Sequence, residues 1–188
     1  MVRSTKLHIL FFAALLLLSG CHKTPPQKPS QRSGQELATD TTITSLMDIN
    51  RHLAELADAK VAAYVDSVQR VTKDTFALMS CGGWKRRRHI EERRAALFAD
   101  SPQYRERWEV KLKTYRLDGR LLSDTKGTYI VKHYDLPIAV EEAMEDMCAG
   151  ETSDVVAPWY TAYGFRGKKP VPPYENVVFK ITLIEKVN

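Results

Sequence analysis

Cysteine is scarce, with 3 in 188 residues, and no two stand at a Cys-x-x-Cys spacing. Neither a zinc knuckle nor thioredoxin-like redox chemistry finds support, and no metal or cofactor is expected. Long apolar runs are missing too. The run at residues 9–18, ILFFAALLLL, falls short of the roughly 20 residues that a permanent spanning helix needs. Neither sign of charge dominates: 28 Lys and Arg stand against 23 Asp and Glu.

What is there begins with an export pattern. Arg3 and Lys6 precede the apolar run, and Leu18-Ser19-Gly20-Cys21 follows it. The last four residues resemble the lipobox of bacterial lipoproteins, which implies a signal peptide over residues 1–20 and lipidation of Cys21. His22 puts no acidic residue after that cysteine, which points to the outer membrane, facing the periplasm. Cleavage removes Arg3 and Lys6, so 28 basic residues become 26 against 23 acidic ones, too even to imply a polyanionic partner.

Residues 21–44 then form a tether. HKTPPQKPSQRSGQELATDTTIT has too little apolar surface to offset the entropy of ordering it. From Ser45 onward Leu46, Ile49, Leu53, Leu56, Val61, Val65 and Val68 recur at steps of three and four, predicting an amphipathic helix of about 20 residues. Packing against the domain is the expectation for it; dimerisation through it is the alternative.

Residues 45–107 make up a helical N-terminal region with one strand at residues 76–80, stopped by Gly82-Gly83, and a basic helical segment after it. In that segment Arg87 with Glu91 and Arg88 with Glu92 fall at i,i+4, the spacing of a solvated helix. Lys85-Arg86-Arg87-Arg88 invites a nucleic-acid reading, but an exported protein rarely meets nucleic acid and none is expected as a partner. Acidic lipid headgroups are the better minor alternative. Ser101-Pro102 reads as the opening of another helical turn.

After Trp108 the period changes to strands. Val110, Leu112 and Thr114 alternate with lysines, and Asp118-Gly119 is a hairpin turn signal. A short strand at residues 129–131, a helix at residues 137–147 with its carboxylates outward, and strands at 152–157 and 177–184 complete an α+β domain over residues 108–188.

The order of motifs after Met147 is similar to FKBP-type peptidyl-prolyl isomerases. A helix ends in Met147-Cys-Ala-Gly150, a strand leads to Pro158-Trp-Tyr-Thr-Ala162-Tyr163-Gly164, and Pro172-Pro173 precedes Phe179 in NVVFKITLI. The resemblance implies a curved antiparallel sheet wrapped on a short helix, after an N-terminal helical segment. It implies Tyr163 as hydrogen-bond donor and Phe179 as a wall of the pocket. Tyr129, Leu136, Pro137 and Val171 would line the substrate pocket. Three positions depart from the family: Val140 stands where a tryptophan usually floors the pocket, Leu112 where a tyrosine is usual, and Leu122-Ser123 where an aromatic and an aspartate follow one another. Asp124 is one place off. The resemblance also brings Cys81 and Cys148 to the ends of neighbouring strands; a disulfide and two separate thiols both remain open.

Proline isomerisation needs no nucleophile and no metal. The peptide barrier of ~18–20 kcal/mol comes from amide resonance, so a dry wall and one donor suffice. The implied activity is isomerisation of Xaa-Pro bonds in proline-containing segments of exported proteins. The alternative is a weakly catalytic chaperone or assembly subunit on the same fold.

Overall fold

Asp118-Gly119 closes a long hairpin. Gly119 adopts φ +87°, a backbone conformation that glycine reaches without cost, and the Arg116 N–H donates the closing hydrogen bond to the Arg120 carbonyl. The computed structural model describes residues 34–97 and 99–188, with side chains from residue 44 onward. The apolar run, Cys21 and the first part of the tether lie outside the described residues. Two units are distinguished, Met1–Ser45 and Leu46–Asn188; apart from the helical residues 34–45, the features below belong to the second.

The elements are α1 (Gly34–Thr72), β1 (Phe76–Leu78), β2 (Trp84–Arg86), α2 (Ile90–Ala96), β3 (Arg107–Arg116), β4 (Leu121–Ile130), α3 (Ile138–Met144), β5 (Thr152–Ala157), a 3-10 turn (Trp159–Thr161) and β6 (Val177–Val187). The strands form one antiparallel sheet in the order β1-β2-β5-β6-β3-β4. On one face Val110, Leu112, Phe179, Ile181 and Leu183 meet Ala139, Val140, Ala143 and Met144 of α3 in the main core. Each such side chain contributes roughly 1.5–3 kcal/mol on burial. On the other face Val61 and Val65 of α1 pack on Phe76 and Val156. That is the packing expected of the amphipathic helix.

Several expectations are corrected. Helix α1 begins at Gly34, so residues 34–44, read as tether, are helical. Gln35-Glu36-Leu37-Ala38 are good helix formers, and extending an existing helix avoids the cost of nucleation. Residues 129–131 are not a separate strand, because β4 runs unbroken from Leu121 to Ile130. The basic segment opens as strand β2, pairing with β5 through Trp84–Val156 and Lys85–Val155. Only Ile90–Ala96 is helical.

Its cations do not pair at i,i+4. Arg86 bonds Glu92 at 3.0 Å and Arg88 bonds Glu151 at 2.7 Å. Lys85, nearly buried, reaches Asp146 and the Ala143 carbonyl. Three of the four residues in the basic run are therefore committed to holding the domain together.

Ser101-Pro102 starts no helix. The Glu106 carboxylate accepts from the Gln103 N–H, and Arg105 takes φ +63°, which a helix does not continue through. Helix α3 is shorter than residues 137–147. Its Glu141 points inward, 4% exposed, because its carboxylate accepts the Lys132 N–H at 2.9 Å and so fixes the loop before the helix. Cys81 and Cys148 are both free thiols. Burial, with the Glu142 carboxylate nearby, pushes the Cys81 thiol up to about 11, and Cys148 donates to the Ala96 carbonyl.

Candidate functional site

The hairpin, the N-terminal end of α3 and the loop before β6 converge on a cavity of ≈140 Å3. That is well below the ~300–1,000 Å3 of a site for a drug-sized molecule and suits a single small ring. Leu112 lines it from β3 and Ser123, Thr125 and Tyr129 from β4, with Leu136, Pro137, Tyr163 and residues 168–171 completing the wall. Positions 123, 125, 127 and 129 share one face of the strand. The side-chain-free member is Gly127: a Cβ there would lie 3.3 Å from the Tyr129 hydroxyl, so the glycine gives the Tyr129 ring its place.

Tyr163 is half-buried. Its ring stands edge-on to Phe179, centroids 5.8 Å apart at 68°, and its hydroxyl lies 3.3 Å from the Thr114 hydroxyl. Burial raises its pKa above the ordinary value of 10.0, so the phenol keeps its proton and remains a donor at neutral pH. Among the described residues no cluster of three His, Cys, Asp or Glu is placed to hold a metal ion.

Of the residues singled out from the sequence, Leu112, Tyr129, Leu136, Pro137, Tyr163 and Val171 come together around this cavity. Three do not line it. Phe179 is wholly buried behind Tyr163, and Val140 is wholly buried in the core beneath. Leu122 packs against the core from the bulge, where the pairing passes from Thr114–Ser123 to Tyr115–Leu121 and leaves it as the extra residue. That register turns Ser123 to the cavity, while Asp124 bonds Lys113 at 3.5 Å; Asp124 does not take the place of the family's aspartate. Sequence reasoning passed over Thr114, Thr125, Asp135, Lys168, Lys169 and Pro170. Strict alternation from Leu112 and Ser123 marks the two threonines, whereas the loop residues carry no periodic signal.

A larger open cleft of ≈490 Å3 is lined by Arg86, Glu92 and Cys148 among others. Its walls include the Arg86–Glu92 pair that anchors α2 to the sheet edge. The smaller cavity is the candidate site because there the half-buried Tyr163 shares a wall with Leu112, Leu136, Pro137 and Val171.

A curved antiparallel sheet on one short helix, with a tyrosine at the wall of a small cavity, defines an FKBP-like α+β domain. Residues 100–184 match the family of FKBP-type peptidyl-prolyl cis-trans isomerases. The fold is similar to FkpA from Escherichia coli (TM-score 0.54, 17% identity, 84% of this chain and 74% of that one). It is also similar to a peptidyl-prolyl cis-trans isomerase from Pseudomonas syringae (TM-score 0.53, 17% identity, 72% of this chain and 96% of that one). A crystal structure of the three FKBP domains of wheat FKBP73 is similar over part of its length, at TM-score 0.50 and 18% identity, over 61% of this chain and 51% of that one. No curated protein matches the chain by sequence.

Proposed function

We propose that the chain is an envelope folding factor that isomerises Xaa-Pro bonds of exported proteins, anchored by a lipid on Cys21 to the outer membrane and facing the periplasm. The observation that carries the isomerase reading is the protonated, half-buried Tyr163 hydroxyl at a small cavity whose apolar side chains are Leu112, Leu136, Pro137, Pro170 and Val171. A proline ring would occupy the cavity, and Tyr163 would donate to a carbonyl beside it. Dry walls favour the twisted amide, whose charge separation is smaller than that of the planar one.

Such bonds relax in tens to hundreds of seconds unaided, so the test is the refolding of a protein limited by a cis proline. A catalytic amount of the full chain speeds the slow phase if the reading holds and leaves it unchanged if it does not. For the anchor, the mass of the mature protein carries the lipid on Cys21, and Cys21→Ala releases the protein from membranes.

A chaperone or assembly subunit with weak turnover is the second reading, favoured by Val140 and Leu112 where the family has aromatic side chains. It retains client binding without acceleration. Exposed Leu46, Ile49 and Leu56 on α1 support a homodimer as a further part of the proposal; Ile49→Glu then lowers the mass seen by light scattering.

A further inference from the structure

We propose that the loop at residues 166–169 makes this cavity select prolines flanked by an acidic residue. The inference rests on the reading above, that the cavity receives a proline. Lys168 and Lys169 line it, and Arg166 extends the same loop, its guanidinium 5.3 Å from the Phe165 ring centre. Among the described residues none of the three cations makes an ion pair. Elsewhere in the domain Lys113, Lys126, Lys132 and Lys186 each face a carboxylate.

The lining holds one carboxylate, Asp135, and its Oδ1 lies 3.1 Å from the His133 ring. Ser123 adds no charge where a second carboxylate would offset the lysines. The local field therefore favours an anion.

The loop's backbone is held in place. Lys168 and Val171 exchange both backbone hydrogen bonds, and the Tyr174 N–H donates to the Gly164 carbonyl. Gly167 sits at φ +66°, where a Cβ would fall 2.6 Å from the Val171 carbonyl oxygen. The lysine stems thus start from fixed points at the cavity, although their ammonium groups stay in water. With the proline ring inside, the residues on either side of it lie at the mouth, within reach of those ammonium groups. A carboxylate there meets unpartnered positive charge anchored on a held loop, which is how complementarity confers specificity. Exposed pairs are individually weak, so two or three together support a preference of about three- to tenfold at low salt.

The experiment uses the full chain and two peptide series, with Glu, Gln or Lys immediately before the proline or immediately after it. Acceleration of cis-to-trans conversion is measured in low and high salt. The expected result is a kcat/KM ratio of Glu to Lys of about three to ten in at least one series, shrinking as salt screens the charges. In Lys168→Gln/Lys169→Gln that ratio falls to about one, whatever happens to the absolute rate. Acceleration of all peptides with ratios near one in both series overturns the inference and leaves the isomerase reading standing. A ratio that survives the double substitution overturns it as well. No acceleration of any peptide removes the isomerase reading and this inference with it.

Discussion

The hydroxyl of Tyr163, from the turn after β5, lies 3.3 Å from the hydroxyl of Thr114 on β3. Thr114 is wholly buried, so the pair ties the candidate donor to the central hairpin. With Thr114 donating, the phenolic proton is free for a ligand carbonyl. Tyr163→Phe removes that donor and keeps the ring against Phe179. It lowers kcat/KM on Xaa-Pro peptides about three- to tenfold, the worth of one net hydrogen bond, and costs about 1 kcal/mol of stability by taking a partner from the buried Thr114 hydroxyl.

Phe179 acts on the site from behind. Being wholly buried, it supports the Tyr163 ring rather than forming the cavity wall. Phe179→Ala costs about 3–5 kcal/mol and threatens the fold. Phe179→Leu costs less and separates the two effects: chemical denaturation reads a modest loss, while turnover falls further because the Tyr163 ring is less firmly held.

Glu142 of α3 joins the helix to the end of the first hairpin. Its carboxylate accepts from the Ser80 N–H at 2.7 Å, the Ser80 hydroxyl at 2.8 Å and the Cys81 N–H at 2.9 Å. Glu142→Ala leaves these donors to water and costs about 1–2 kcal/mol in denaturant unfolding. Amide exchange then speeds at Ser80 and Cys81 before it does in the β3–β4 hairpin.

Gly167→Ala strains a left-handed position and drives the new methyl against the Val171 carbonyl. A loss of about 1–3 kcal/mol is expected. Chemical-shift changes concentrate at residues 163–173 and leave α1 untouched.

Acid weakens the fold. Hydrogen bonds from Lys186, from the Gln103 N–H and from the Trp108 indole hold the Glu106 carboxyl down at about 2, and Arg86 holds Glu92 below its ordinary 4.5. A depressed carboxylate stabilises the folded form above its unfolded value, and that stabilisation is lost as pH falls from about 4.5 towards 2. Glu141 and Asp154, raised by burial, act in the opposite sense, the folded form gaining as they protonate. The melting temperature accordingly declines below about pH 4.5, and Glu106→Gln makes the decline shallower.

The parts of the fold legible in the sequence are those set by neighbours along the chain. Asp118-Gly119 marks the hairpin, alternation of Val110, Leu112 and Thr114 marks β3, and three-and-four spacing marks α1 through Val61 and Val65. Strand β2 hides in a charged run because its partners, Val155 and Val156, lie about 70 residues away and its inward Lys85 is neutralised by Asp146. Glu141 reads as a surface carboxylate for the same reason: the N–H groups it satisfies belong to a loop whose path no local pattern reveals. At the site, periodicity says which face a residue occupies but not its depth. Leu112, Tyr129, Leu136 and Val171 reach the cavity, while Val140 and Phe179, equally apolar, end one layer below it.

The most direct test of the central claim is the rate of cis-to-trans conversion of a short Xaa-Pro peptide, measured with the full chain and with Tyr163→Phe at matched stability. The account predicts acceleration by the native protein and a clear loss in the variant. Background rates with the native protein across several Xaa residues, or equal acceleration by both proteins, would contradict it.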